Sequence, residues 1–90
     1  MKKQAHVYYT GAVQGVGFRF ITEELAKELE VFGWVRNLNG GQVEIVAEAD
    51  EVVLDEFLNK INQHFKRNIT DSDIEISPAT GEFRSFEVKF

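Results

Sequence analysis

The sequence contains no cysteine. That removes a disulfide framework, a thiolate metal site, a cysteine nucleophile and a copper-chaperone function together. It also lacks any apolar run near the ~20 residues of a membrane span. The opening Met1-Lys2-Lys3-Gln4-Ala5-His6 has a basic flank but no apolar stretch behind it, so no signal peptide is expected. Asn68-Ile69-Thr70 matches a glycosylation sequon and, without secretion, is read as chance. There is no repeat, linker or low-complexity segment. Nor is there an excess of positive charge: 15 Asp and Glu outnumber 10 Lys and Arg, for a net charge of −5. Such a surface disfavours nucleic acid and polyphosphate partners and confines any phosphate site to a few convergent donors.

What remains is ordinary globular composition, 43% hydrophobic with eight Phe in 90 residues. A chain of this length buries only about 60–65% of its extended surface, enough for one core and one domain over residues 1–90.

The pattern along the chain predicts a compact set of elements. His6-Val7-Tyr8-Tyr9-Thr10 is β-branched and aromatic and predicts a strand. A glycine-rich segment, Gly11 to Gly17, follows. Ile21, Leu25 and Leu29 recur at helical spacing, with Glu23 and Glu24 expected in the first turn. Gly33 to Leu38 predicts a second strand, and Asn39-Gly40 a type I′ hairpin. Val43, Ile45 and Ala47 alternate with Gln42, Glu44 and Glu48, predicting a strand wet on one face. Asp50 is a candidate N-cap for a helix carrying Leu54, Phe57, Leu58, Ile61 and Phe65. Ile74 and Ile76 suggest a fourth strand, Pro78 to Gly81 a turn, and Phe86, Val88 and Phe90 a last strand. The order predicts an α+β fold: a ferredoxin-like split βαβ arrangement, βαββαβ plus a short extra C-terminal strand, with two helices on one face of an antiparallel sheet. Many functions share that fold, so function has to be read from a site.

The informative segment is Gly11-Ala12-Val13-Gln14-Gly15-Val16-Gly17-Phe18-Arg19, between a strand and a helix. Glycines there permit positive φ, so that successive N–H groups can face an anion, and the helix N-terminus adds more. Arg19 stands where loop meets helix, and its planar guanidinium can grip two phosphate oxygens. A dinucleotide fingerprint fails because Phe20 takes the third glycine's place, and a Walker loop fails for want of a lysine. Gln14 to Phe20 also looks like the RNA-binding motif RNP1. That motif belongs on the third strand, whereas this segment follows the first. The plain alternative is a tight turn with no ligand.

Two segments together carry a resemblance. Gly11-x-Val13-Gln14-Gly15-Val16-x-Phe18-Arg19 resembles the first signature of the acylphosphatase family. Gly33-Trp34-Val35-Arg36-Asn37, followed after three residues by Gly41-Gln42-Val43, resembles the second. The likeness covers almost the whole chain, down to Thr80-Gly81-Glu82-Phe83. Tyr9 departs from an aliphatic preference and implies local repacking. Ala49 stands where the second signature ends in glycine, which bears on the turn into the second helix. Phe65 to Asp71 lacks a Gly-Pro step, leaving that connection open.

The resemblance implies an acyl-phosphate hydrolase acting on a small-molecule substrate. With no cysteine and no signal peptide the cytoplasm is the expected location, the net charge disfavours nucleic acid, and a monomer with no membrane partner is expected. Phosphate would lie against the loop backbone of Gln14, Gly15, Val16, Gly17, Phe18 and Arg19. Arg19 and Asn37 would be catalytic. No metal, no cofactor and no phosphoenzyme are implied, and inorganic phosphate would be product and competitive inhibitor. A binding domain that reuses the cradle without turnover is the rival from another class. Among the other residues, Gln14 either orients the loop or faces solvent. Arg36 is expected on the opposite sheet face as a surface charge, and Trp34 in the core. His6 and His64 are expected to be structural. Glu23, Glu24, Glu28 and Glu30 are expected on a wet helix face.

Overall fold

The computed structural model describes residues 1–90. Its elements are β1 (Lys2–Gly11), α1 (Phe18–Leu29), β2 (Phe32–Asn37), β3 (Val43–Asp50), α2 (Glu51–His64), β4 (Ile69–Pro78) and β5 (Phe86–Lys89). They form one sheet in the order β4-β1-β3-β2-β5. The first four strands pair antiparallel, as expected. The added strand β5 instead runs parallel to β2, with Gly33 opposite Phe86. No helix is long and apolar enough to cross a membrane.

Strand alternation puts Ala5, Val7 and Tyr9 of β1, Val35 of β2 and Val43, Ile45 and Ala47 of β3 on one face, all fully buried. Both helices cover that face. α1 lays down Phe18, Thr22 and Ala26, one residue per turn, with Ile21, Leu25 and Leu29 packed beside them. α2 contributes Leu54, Phe57, Leu58 and Ile61, as its apolar spacing predicts. α1 ends in a Schellman motif: Glu30 takes φ 58° and the Val31 N–H donates to the Ala26 carbonyl at 2.8 Å. The acidic pair Glu23 and Glu24 misses the first turn, because α1 begins at Phe18 and has no acidic residue there. Asp50 is the N-cap residue by position but makes no capping bond; its carboxylate lies 3.6 Å from the amine of Met1.

Three other expectations are revised. The β2–β3 turn is not type I′. Gly40 has φ 97° while Asn39 is not in the positive-φ region, and the Gly41 N–H donates to the Leu38 carbonyl, the pattern of a type II turn. Ala49 needs no glycine conformation: it lies inside β3 opposite Lys3. Trp34 is outside the core. Its ring lies on the helix-free face between two cations, 5.0 Å from the Arg36 guanidinium and 4.7 Å from the Lys89 ammonium.

On that same face Glu44 and Glu48, expected to be wet, are 4% and 7% exposed. β3 is an inner strand, and side chains from both neighbours fold over it. Glu44 accepts from Arg36 at 2.7 Å and contacts His6 at 2.6 Å. Arg36 is therefore an ion-pair partner rather than a free surface charge. Glu48 accepts from Gln4, from the Thr80 hydroxyl and amide, and from the Gly81 amide, between 2.8 and 3.0 Å. That bonding fastens the Thr80–Gly81 turn to the sheet.

Burial alone would raise both carboxyl pKa values, but these hydrogen bonds outweigh it and hold both below the ordinary 4.5. A depressed carboxyl stabilises the fold above its unfolded-state pKa and loses that contribution as pH falls through the folded value. Denaturation at stepped pH should therefore show stability declining below about 4.5. Glu48→Gln should be less stable near neutrality and converge on the wild type in acid.

Tyr9 and Thr22 each bury a hydroxyl without a partner. Burial pushes the Tyr9 phenol pKa well up. Its ring packs 5.5 Å from that of Phe18, inside the core. Tyr9→Phe keeps the ring and removes an unsatisfied group. It should raise unfolding free energy by about 1–2 kcal/mol, read as a higher denaturant midpoint.

Candidate active site

The loop from Ala12 to Gly17 crosses one end of the sheet. Gly15 and Gly17 have φ 78° and 77°, a conformation that a side chain would strain. No backbone N–H from Val13 to Phe20 donates to another protein group. The first helical bond comes only at Ile21, whose N–H donates to the Gly17 carbonyl at 3.0 Å. The loop and first helical turn thus hold unpaired donors at the positive end of a helix, the composition of an anion cradle.

Phe18 fixes this end of α1. Its ring is 2% exposed and stacks on Phe65 at 4.3 Å. The next residue, Arg19, turns to the surface. Its guanidinium lies 4.7 Å from the Phe90 ring centroid and donates to the Lys89 carbonyl at 3.4 Å, so β5 holds it in place. Asn37 ends β2, two residues beyond buried Val35 and on the same side of the strand; Arg36 points the other way, as alternation requires. The Asn37 Oδ1 is buried with no hydrogen-bond partner.

These residues share one cavity of about 680 Å³. Gly15, Gly17, Arg19 and Asn37 all line it. So do Phe20 and Phe90, both exposed, and Val13 and Val88. Arg19 is the one cationic side chain in the lining. The site therefore combines a loop of unpaired backbone donors, one guanidinium, the Asn37 side chain and an apolar wall, with the carboxylates of Glu23 and Glu87 also in the lining.

Against known proteins, the acylphosphatase family model matches residues 5–88. The chain belongs to the acylphosphatase family. Acylphosphatases are hydrolases of acyl phosphates, and the chain is an enzyme of that class. It is 41% identical to the acylphosphatase of Lactobacillus johnsonii, covering 90% of this chain and 91% of that one. It is 40% identical to the acylphosphatase of Archaeoglobus fulgidus, covering 93% and 94%. The crystal structure of acylphosphatase from Bacillus subtilis superposes with a TM-score of 0.88 at 29% identity, covering 98% and 99%.

The fold brings both signatures of an acylphosphatase to one cavity. It also brings residues that the motifs did not announce. Glu23 lines the cavity beside Arg19, although it shares a helix with wet Glu24 and Glu28 and pairs with Lys27 at 3.5 Å. Asn68, from the connection lacking a Gly-Pro step, holds the start of the loop. Its carbonyl accepts from the Ala12 N–H at 2.9 Å and its side-chain amide donates to the Ala12 carbonyl at 3.0 Å. A polar residue in a connecting segment carries no sequence signal for such a bond. His6 lies on the far face against Glu44 and Tyr8, and the His64 ring packs on Phe65; neither lines the cavity.

Proposed function

We propose that this cavity hydrolyses acyl phosphates by in-line attack of water on a phosphoryl group held by Arg19 and the Gln14–Arg19 backbone, with Asn37 placing the water. The observation that carries the reading is the convergence on one cavity of the unpaired amides of the loop, the Arg19 guanidinium and the Asn37 side chain.

The chemistry suits so small a set of groups. An acyl phosphate leaves a carboxylate, whose conjugate acid has a pKa of about 4, so departure needs no general acid. Water oxygen bonds to phosphorus as the bridging P–O bond breaks, and its electron pair leaves with the carboxylate. The water proton passes to a phosphoryl oxygen, giving inorganic phosphate. The site must neutralise the phosphoryl oxygens and hold the water in line. Backbone amides and Arg19 serve the first need. The Asn37 side-chain amide, which can accept from water and donate elsewhere, serves the second. The apolar wall of Phe20, Val88 and Phe90 gives the acyl part a surface that bare phosphate would not use. The reading takes residues 1–90 as one catalytic domain, working as a cytoplasmic monomer without metal or phosphoenzyme. Inorganic phosphate is product and competitive inhibitor.

The test is hydrolysis of benzoyl phosphate in excess EDTA. Metal-independent turnover, inhibited competitively by phosphate, is the expected result. A wild type that binds phosphate and turns nothing over would make the cavity a non-catalytic binding site.

A further inference from the structure

We propose that the Gln14 side chain is a positioning residue that sets the distance between the phosphate cradle and Asn37. The inference rests on the catalytic roles of Arg19 and Asn37 given above. The two halves of the site arise on separate segments. The cradle follows β1, and Asn37 ends β2. These strands are not neighbours, because β3 lies between them. Just before β3 the chain makes the turn from Leu38 to Gln42, a connection exposed at Asn39 and Gly40 that begins directly after Asn37.

Gln14 spans this gap. Its Nε2 donates to the Leu38 carbonyl and to the Gln42 carbonyl, each at 2.8 Å. Both hydrogens of one amide are thereby used, which orients the side chain. The two acceptors are the feet of the turn: the Leu38 N–H itself donates to the Gln42 carbonyl at 2.8 Å. Gln42 returns a bond to the strand before the cradle, its Nε2 donating to the Thr10 hydroxyl at 3.0 Å. Gln14 thus reaches from within the cradle to the residue after Asn37, and Asn68 holds the opposite side of the loop at Ala12.

Two facts give this tie a catalytic meaning. In-line attack tolerates little error, and a misplacement of about 1 Å costs about 10² in rate. Bonds across the gap, rather than within either segment, are what limit that error. The residue type also follows. Two carbonyl acceptors facing one group require a side chain with two N–H donors and the reach of glutamine. Leucine has no donor. Glutamate, once ionised, would place a carboxylate against two carbonyl oxygens.

The experiment is steady-state hydrolysis of benzoyl phosphate by wild type, Gln14→Leu and Gln14→Glu across pH, with thermal unfolding run alongside so that rates are compared below every midpoint. Gln14→Leu should lower kcat about 10- to 10²-fold. Its inhibition constant for inorganic phosphate should stay within about three-fold of wild type, since cradle and Arg19 remain. Gln14→Glu should be as poor near neutrality and recover part of kcat as pH falls through the titration of its new carboxyl, because only the acid form can donate, and it restores one of the two bonds. Wild type should lack that limb. A residue that merely stabilised the fold would shift the unfolding midpoint and produce no new titration in kcat. Gln14→Leu with kcat within two-fold of wild type, or Gln14→Glu with the wild-type pH profile, overturns the proposal. Wild type without turnover overturns the hydrolase reading itself, independently of either variant.

Discussion

Asn37→Ala is expected to lower kcat for benzoyl phosphate by at least ~10²–10³-fold while inorganic phosphate still binds. Alanine removes the side-chain amide and leaves the loop amides and Arg19 in place. Phosphate affinity, read as the inhibition constant, should therefore move by less than about three-fold. A loss of kcat without a loss of binding marks a group that acts on the water rather than on the phosphoryl oxygens. Near wild-type kcat in this variant would end the water-positioning assignment. The fold should tolerate the change, because Asn37 makes no side-chain hydrogen bond that holds the strand.

Arg19→Ala should remove binding and turnover together, with kcat/KM down by more than ~10³-fold and phosphate inhibition lost. Arg19 is the only cation lining the cavity of a chain with net charge −5. No neighbouring side chain replaces it. Arg19→Lys should recover little. An ammonium restores the charge but not the two-point grip on paired phosphate oxygens. It also lacks the planar face that lies over Phe90. Turnover by Arg19→Lys within a few-fold of wild type would show that charge alone suffices and that the guanidinium geometry is idle.

Much of this fold was legible because strand and helix periods are local. Val43, Ile45 and Ala47 alternate, and Leu54, Phe57, Leu58 and Ile61 recur at helical spacing; each set lies on the buried face. Alternation assigns a residue to a face, but it does not say what covers that face. Glu44 and Glu48 look solvated for that reason, yet His6, Arg36, Gln4 and Thr80 close over them. Trp34 failed in the opposite direction: its size suggests a core, while its register with Val46 puts it on the helix-free face. The turn type was misread because Asn-Gly signals positive φ at both residues, whereas a second glycine, Gly41, lets a longer loop form.

The amino-acid sequence by itself determined the elements, their order and the two motifs that carry Arg19 and Asn37. These depend on neighbours a few residues apart, and local spacing encodes them. Only the tertiary structure decided that the motifs meet at one end of the sheet, although β3 separates their strands. Only it decided that β5 brings Lys89 and Phe90 beneath Arg19, and that Gln14 and Asn68 grip the cradle from two sides. Those contacts join residues between 24 and 71 positions apart. Long-range pairs leave no periodic trace, because a donor and its acceptor are matched by the packing of the sheet and not by their distance along the chain.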